Sequence, residues 1–203
     1  VVELHRTVGP AATTVTAVAE EAGVSRVTVY NHFPTEADLV EACSSHWAAR
    51  NPFPDPDPWR VVERPRDRLE LALRTLYAWY RAGEDMLGKV LRDAPVVEPL
   101  AAVLERSWQP WVDGVVEVLA QGWPGEADDG RLRAALALAV DCGPWARLVR
   151  EGLGDDEAAA LVTAMVVGAV GGGGEEGAGT AAGGDEEGAR PGAGDDEAGP
   201  GTG

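Results

Sequence analysis

Few of the 203 residues have the type and spacing needed to break bonds or hold a metal. Cys43 and His46 fall one helical turn apart, but two ligands with no further donor nearby make a poor metal site, and a buried thiol beside an exposed imidazole fits the spacing better. There is no Gly-x-Ser-x-Gly elbow, no histidine-rich metal spacing and no glycine loop placed between a strand and a helix. The sequence therefore assigns no catalytic residue, no metal and no cofactor, and an enzyme finds little support. Polar chemistry is concentrated instead in "TTVTAVAEEAGVSRVTVYNHF", residues 13–33. Thr14, Ser25, Arg26, Thr28, Tyr30, Asn31 and His32 bring hydroxyl, guanidinium, phenol, amide and imidazole groups into one short stretch. Such groups bind phosphates and base edges.

The surrounding apolar spacing says how they are held. Val15, Val18, Ala19 and Ala22 recur at i, i+3, i+4 and i+7, the narrow face of a helix that Thr14 can cap through its hydroxyl. Gly23 supplies a left-handed or tight turn, with Val24 expected to tuck in behind it. Ser25 is a good N-cap for a second helix whose Val29 and Phe33 point back at the first. The small Ala19 and Gly23 allow two helices to cross closely, as in a helix-turn-helix. By spacing alone, a plain helical hairpin fits as well.

Composition bounds the rest. Hydrophobic residues make up 45% of the chain, enough for one substantial core, and the formal net charge is −17. The last 33 residues contribute a net −7 of this, from eight acids against Arg190. Two well-separated cysteines suit free thiols in a reducing compartment rather than a disulfide framework. The longest apolar run, residues 158–170, is too short to span a bilayer, so a soluble cytoplasmic protein without a membrane partner is expected. The chain divides into residues 1–50, with short helices; a proline-rich linker, "NPFPDPDP", at 51–58; a long helical stretch at 59–170; and a glycine- and acid-rich tail at 171–203, expected to be disordered. Strand alternation is almost absent, so the fold class is all-α.

The identities within residues 4–47 break the tie between hairpin and DNA-binding unit. Ala22, Gly23, Val24 and Ser25, followed by Tyr30, His32 and Phe33, closely resemble the DNA-binding unit of the TetR family of bacterial transcriptional regulators. That resemblance implies an N-terminal helix-turn-helix domain that binds double-stranded operator DNA, and a larger helical domain that dimerises and holds a small-molecule effector, with repression as the usual outcome. Carried onto this chain, it gives Thr14 and Ser25 phosphate contacts through their hydroxyls and helix-start amides, and gives Tyr30, Asn31 and His32 places on the same surface, with Tyr30 and His32 on the backbone. Arg26, Val27 and Thr28, at the leading end of the second helix, face base edges: Arg26 a guanine, Val27 and the Thr28 methyl a thymine methyl. Tyr30 as core and His32 as a helix cap are the competing readings.

The sequence departs from the family pattern in three ways. Glu36 stands where the family usually has a lysine at the start of its fourth helix. His5 stands where a core aromatic is common, in a first helix of which only the last two turns are present, as if the true start lay upstream. Residues 1–50 carry a net charge of −3, whereas small DNA-binding domains are mostly basic. These departures keep open a second reading: a helical dimer that binds an effector or partner and has lost specific DNA binding.

Further along, Leu69, Leu73, Leu76, Tyr80, Leu87 and Val90 form one stripe of a single long helix expected from about Arg66 to Arg92. A segment around Glu98–Ser107 and a separate helix opened by Pro110 and running to Gln121 follow. Tyr77, Trp79, Met86, Trp108, Trp111 and Trp145 are many large side chains for one bundle and suit a cavity for an apolar effector. Each one alone also fits a well-filled core. The apolar helices expected at Arg131–Glu151, bent or broken near Gly143 and Pro144, and at Asp155–Ala169 correspond to the pair through which the family forms its homodimer.

Overall fold

The computed structural model describes residues 1–123 and 130–171; the glycine- and acid-rich tail beyond lies outside the described residues. Helices account for the regular structure, and the described residues include no strand. The first four helices are α1 (Val2–Thr7), α2 (Val15–Ala22), α3 (Arg26–His32) and α4 (Glu36–Arg50). After a short α5 (Asp57–Arg60) come α6 (Pro65–Ala82), α7 (Glu84–Asp93), α8 (Glu98–Leu119), α9 (Gly130–Val140), α10 (Cys142–Arg150) and α11 (Asp155–Gly171). No helix among the described residues is long and apolar enough to cross a membrane.

Two cores result from the apolar spacing. A small one joins Val18 and Ala19 of α2, Val29 of α3 and Leu39 of α4, with Leu4, Val15 and Phe33 packed at its edge. The large one is built from α6, α8, α9, α10 and α11, where Leu69, Leu73, Leu76, Leu119 and Leu136 are completely buried. Between them, Val40 of α4 meets Val97 and Leu100 at the start of α8.

Three expectations about the helices change. The long helix expected from Arg66 to Arg92 is broken at Gly83, whose N–H closes on the Trp79 and Tyr80 carbonyls. A Cβ at position 83 would come within 3.3 Å of the Trp47 ring and 3.2 Å of Leu87, so glycine lets α4 approach the joint. Pro110, expected to open a helix, lies inside α8. The proline removes one helical hydrogen bond, at a cost of about 3 kcal/mol. The apolar face running from Leu100 through Trp108 and Trp111 to Val115 and Leu119 continues past it, and that packing offsets the loss. Val24 does not tuck in behind Gly23 but remains 43% exposed.

The break expected near Gly143 and Pro144 of the Arg131–Glu151 helix falls at Asp141, between α9 and α10, where the Asp141 carboxylate accepts from the Gly143 N–H at 2.9 Å. Buried tyrosines satisfy the carbonyls left at the end of α9: Tyr77 Oη donates to Ala139 O and Tyr80 Oη to Val140 O. Both hydroxyls are thereby held within the core and their pKa values are pushed up by burial.

Candidate nucleic-acid interface and buried cavity

The α2–α3 pair is set by its caps. Thr14 Oγ1 accepts from Ala17 N–H at 3.1 Å and starts α2. Gly23, at φ 65° and ψ 31°, ends it in the left-handed conformation, with its own N–H on Glu20 O and the Val24 N–H on Ala19 O. Ser25 Oγ then accepts from Thr28 N–H at 3.1 Å and lies 2.9 Å from the Thr28 hydroxyl. Helix α3 is thus anchored by buried Val29 and half-buried Phe33, and the rest of its surface is free to face outward.

That outward surface has a consistent character. Arg26, Tyr30, Asn31 and His32 are exposed, and none of their side chains makes a hydrogen bond or ion pair among the described residues. Val27 is 67% exposed and Tyr30 46%, so Tyr30 is not a core residue; His32 lies beside the Phe33 ring and caps nothing. Thr28 is half-buried, its hydroxyl turned to Ser25. The arginines nearer the second core behave differently. Arg6 pairs with Glu3 and Asp85, Arg92 with Asp93, and Arg106 with Glu41. Arg26 is spared such pairing.

The start of α4 is strongly anionic. Thr35 and Asp38 form a reciprocal capping box: the Thr35 N–H and O–H donate to Asp38 Oδ2 at 2.9 and 2.7 Å, and the Asp38 N–H donates to Thr35 Oγ1. The Thr35 hydroxyl, with its N–H, holds the Asp38 carboxyl below the usual carboxylate range. With Glu36, the first turn carries two carboxylates. The Thr-x-x-Asp signature for this cap stands in the sequence at Thr35 and Asp38.

The α1–α2 turn is fastened to α7. The buried Asp93 accepts from the Ala11 N–H at 3.0 Å and from Arg92 at 2.6 Å; the Arg92 guanidinium depresses its pKa. Gly9, at φ 98°, passes so close that a Cβ would lie 2.5 Å from Asp93 Oδ2.

Alongside this joint is a cavity of about 80 Å³ walled by His5 of α1, Cys43 and Trp47 of α4, Phe53, and parts of α7 and α8 including Met86 and Trp108. Cys43 Sγ lies 3.1 Å from His5 Nδ1. Burial is the main reason His5 falls to about 4 and Cys43 rises to about 11, so both are neutral at pH 7. His46, exposed as expected, contacts Arg50.

Of the six side chains expected around a cavity, Met86 and Trp108 line this one, and Tyr77, Trp79, Trp111 and Trp145 do not. Tyr77 is spent on the end of α9. Trp145 donates to Asp155 at 3.0 Å beneath the Arg81 guanidinium. Trp79 and Trp111 pack against Phe53 and Trp108. His5, Cys43 and Phe53 are the residues that sequence reasoning missed: 38 positions separate the first two, and Phe53 lies in a segment read as linker.

A second hollow lies between α9, α10 and α11, lined by Leu138, Leu148, Val162, Met165 and Val166 among others. Leu138 is 61% exposed and Met165 60%.

Residues 2–43 match the model for bacterial regulatory proteins of the tetR family. No curated protein and no solved structure matches the chain. The match covers α1 to α3 and most of α4, the same helices that present the unpaired polar face of α3. The all-helical fold, the capped α2–α3 turn and this match together give residues 2–43 the helix-turn-helix domain of bacterial regulatory proteins of the tetR family, the domain by which DNA-binding transcriptional regulators hold DNA.

Proposed function

We propose that the chain is a cytoplasmic, ligand-responsive repressor that binds operator DNA as a homodimer and releases it when a small apolar effector fills the cavity beside α1, α4, α7 and α8. The observation that carries this reading is the exposed face of α3, where Arg26, Tyr30, Asn31 and His32 stand without protein partners among the described residues and within the matched segment, because such groups are the ones that contact phosphates and base edges. Arg26 and Val27 read base edges, with Thr28 offering its methyl beside them. Thr14, Ser25, Tyr30, Asn31 and His32 position the sugar-phosphate backbone. Support for coupling between the cavity and this surface comes from its walls, which include α1 and α4, helices that fall wholly or partly within the matched residues 2–43. Support for the homodimer comes from exposed Leu138, Leu161 and Met165 on α9 and α11, which a second copy would cover.

Footprinting on the DNA upstream of its own gene tests the reading: protection of a palindromic site is expected, lost in an Arg26→Ala variant that still sediments as a dimer. The anionic start of α4 favours the other reading, a dimer without specific DNA binding. The same footprint decides, since equal affinity for the upstream region and for random DNA would establish it. Leu161→Asp is expected to give monomers in sedimentation if α11 is the interface.

A further inference from the structure

Resting on the reading of the α1/α4/α7/α8 cavity as an effector site, we propose that Phe53 is a resident plug in that site, and that the effector is an uncharged, planar aromatic molecule whose ring takes Phe53's place. The Phe53 ring stacks on Trp111 at 4.7 Å and 21°, and meets Trp79 and Trp108 edge-on at 5.8 and 5.6 Å. One stacked face with two edge contacts is the arrangement in which a box of rings holds a flat aromatic guest. The guest is already present, and it comes from the chain itself.

Phe53 is also weakly tethered by its backbone. It stands between Pro52 and Pro54, in the non-helical stretch between the last residue of α4 and the first of α5. Neither proline has an N–H to donate. The stretch is held to α8 by a single long hydrogen bond, from Trp111 Nε1 to Pro54 O at 3.3 Å. Moving Phe53 therefore costs ring packing but little backbone structure.

The size of the cavity supports displacement. At about 80 Å³ it is far below the roughly 300 Å³ at which small-molecule sites begin. Phe53 lines it, so swinging the ring out joins its volume to the cavity and uncovers the indole faces. The charge of the effector follows from the wall. No carboxylate, lysine or arginine lines the cavity, and the two titratable groups that do, His5 and Cys43, are neutral at pH 7. A charged guest would be desolvated without a counter-charge. The Ser44 hydroxyl, which also lines the cavity and makes no hydrogen bond among the described residues, offers one polar contact for a carbonyl or hydroxyl on the ring.

The test titrates the full chain with N-phenyl-1-naphthylamine, an uncharged aromatic probe, and with cationic ethidium, reading both probe emission and tryptophan quenching. Wild type is expected to bind the uncharged probe weakly, Phe53→Ala roughly ten-fold tighter because the displacement is no longer required, and Phe53→Leu in between. Equal affinity in all three, or weaker binding to Phe53→Ala, would overturn the plug while leaving the cavity as an effector site. Tighter binding of ethidium than of the uncharged probe would overturn the assigned ligand class. If neither probe quenches tryptophan in any variant while helical circular dichroism is unchanged, the effector-site reading itself fails.

Discussion

The helix pair α2–α3 and the aromatic-walled cavity beside α8 are both candidate sites, and they treat their distinctive side chains in opposite ways. On α3 Arg26, Tyr30, Asn31 and His32 are left unpaired among the described residues and outward, and the apolar residues beneath do the fixing. Around the larger core most of the aromatic groups are consumed: Tyr77 and Tyr80 finish α9, Trp145 anchors Asp155, and Trp79 and Trp111 hold Phe53. A recognition surface is made of groups kept free by short-range capping. A cavity is what remains after packing, and its lining depends on which rings found partners elsewhere.

The joint between the two regions should be the most sensitive point. Gly9→Ala places a side chain at φ 98°, a conformation reserved for glycine, and drives its Cβ to 2.5 Å from the buried Asp93 carboxylate. We expect a loss of about 3 kcal/mol or more in denaturant unfolding. Gly23→Ala, at φ 65° with open space around it, should cost only about 1 kcal/mol. Equal effects would mean that α1 is not fastened to α7 as described.

His5 gives the joint a pH dependence. Its pKa in the folded chain, about 4, lies below the ordinary imidazole value of 6.5 because the charged form would be buried. Unfolding therefore favours protonation: the stability from neutral His5 is complete above pH 6.5 and drains away as pH falls toward 4. The window corresponds to roughly 3 kcal/mol. In a His5→Phe variant the fall in unfolding free energy across that window should be much shallower; an unchanged acid limb would place its origin elsewhere.

A smaller effect separates reading from positioning on α3. Arg26→Ala should cost about 1–3 kcal/mol on the operator and relax preference at one base pair, whereas Tyr30→Phe should weaken all sequences alike. Uniform losses for both would remove Arg26 from the base-reading set.

The difference in legibility between the two regions has a physical cause. Thr14, Gly23 and Ser25 act within four residues of their partners, and Val29 meets Val18 and Ala19 across a single tight turn, so their roles can be read from local spacing. Cys43 and His5 meet only because α1 packs on α4, and nothing in either neighbourhood announces it. Phe53 is hidden for a related reason: "NPFPDPDP" reads as a non-helical linker, and although its last two residues, Asp57 and Pro58, open α5, the non-helical part still delivers the Phe53 ring to the aromatic cluster. The helix boundaries failed where tertiary packing outweighed local cost. Gly83 ends a helix whose apolar stripe continues, and Pro110 sits inside one whose apolar face carries on past it.

The smallest expected effect concerns the charge at the start of α4. Asp38 is committed to the Thr35 cap, and replacing it would confuse helix stability with electrostatics. Glu36 is exposed and makes no hydrogen bond or ion pair among the described residues, so it can be changed cleanly. Glu36→Gln removes repulsion alone. Glu36→Lys also adds one cation, and each phosphate neutralised steepens the salt dependence of binding by about 0.9 in log-log slope. If α4 starts against the DNA backbone, the lysine variant should bind the operator a few-fold tighter at low salt with a slope steeper by roughly that amount, and the glutamine variant should tighten binding less. The gain should shrink as added salt screens it. If both variants bind as wild type does at low salt, α4 starts away from the phosphates, and α2 and α3 alone form the operator surface.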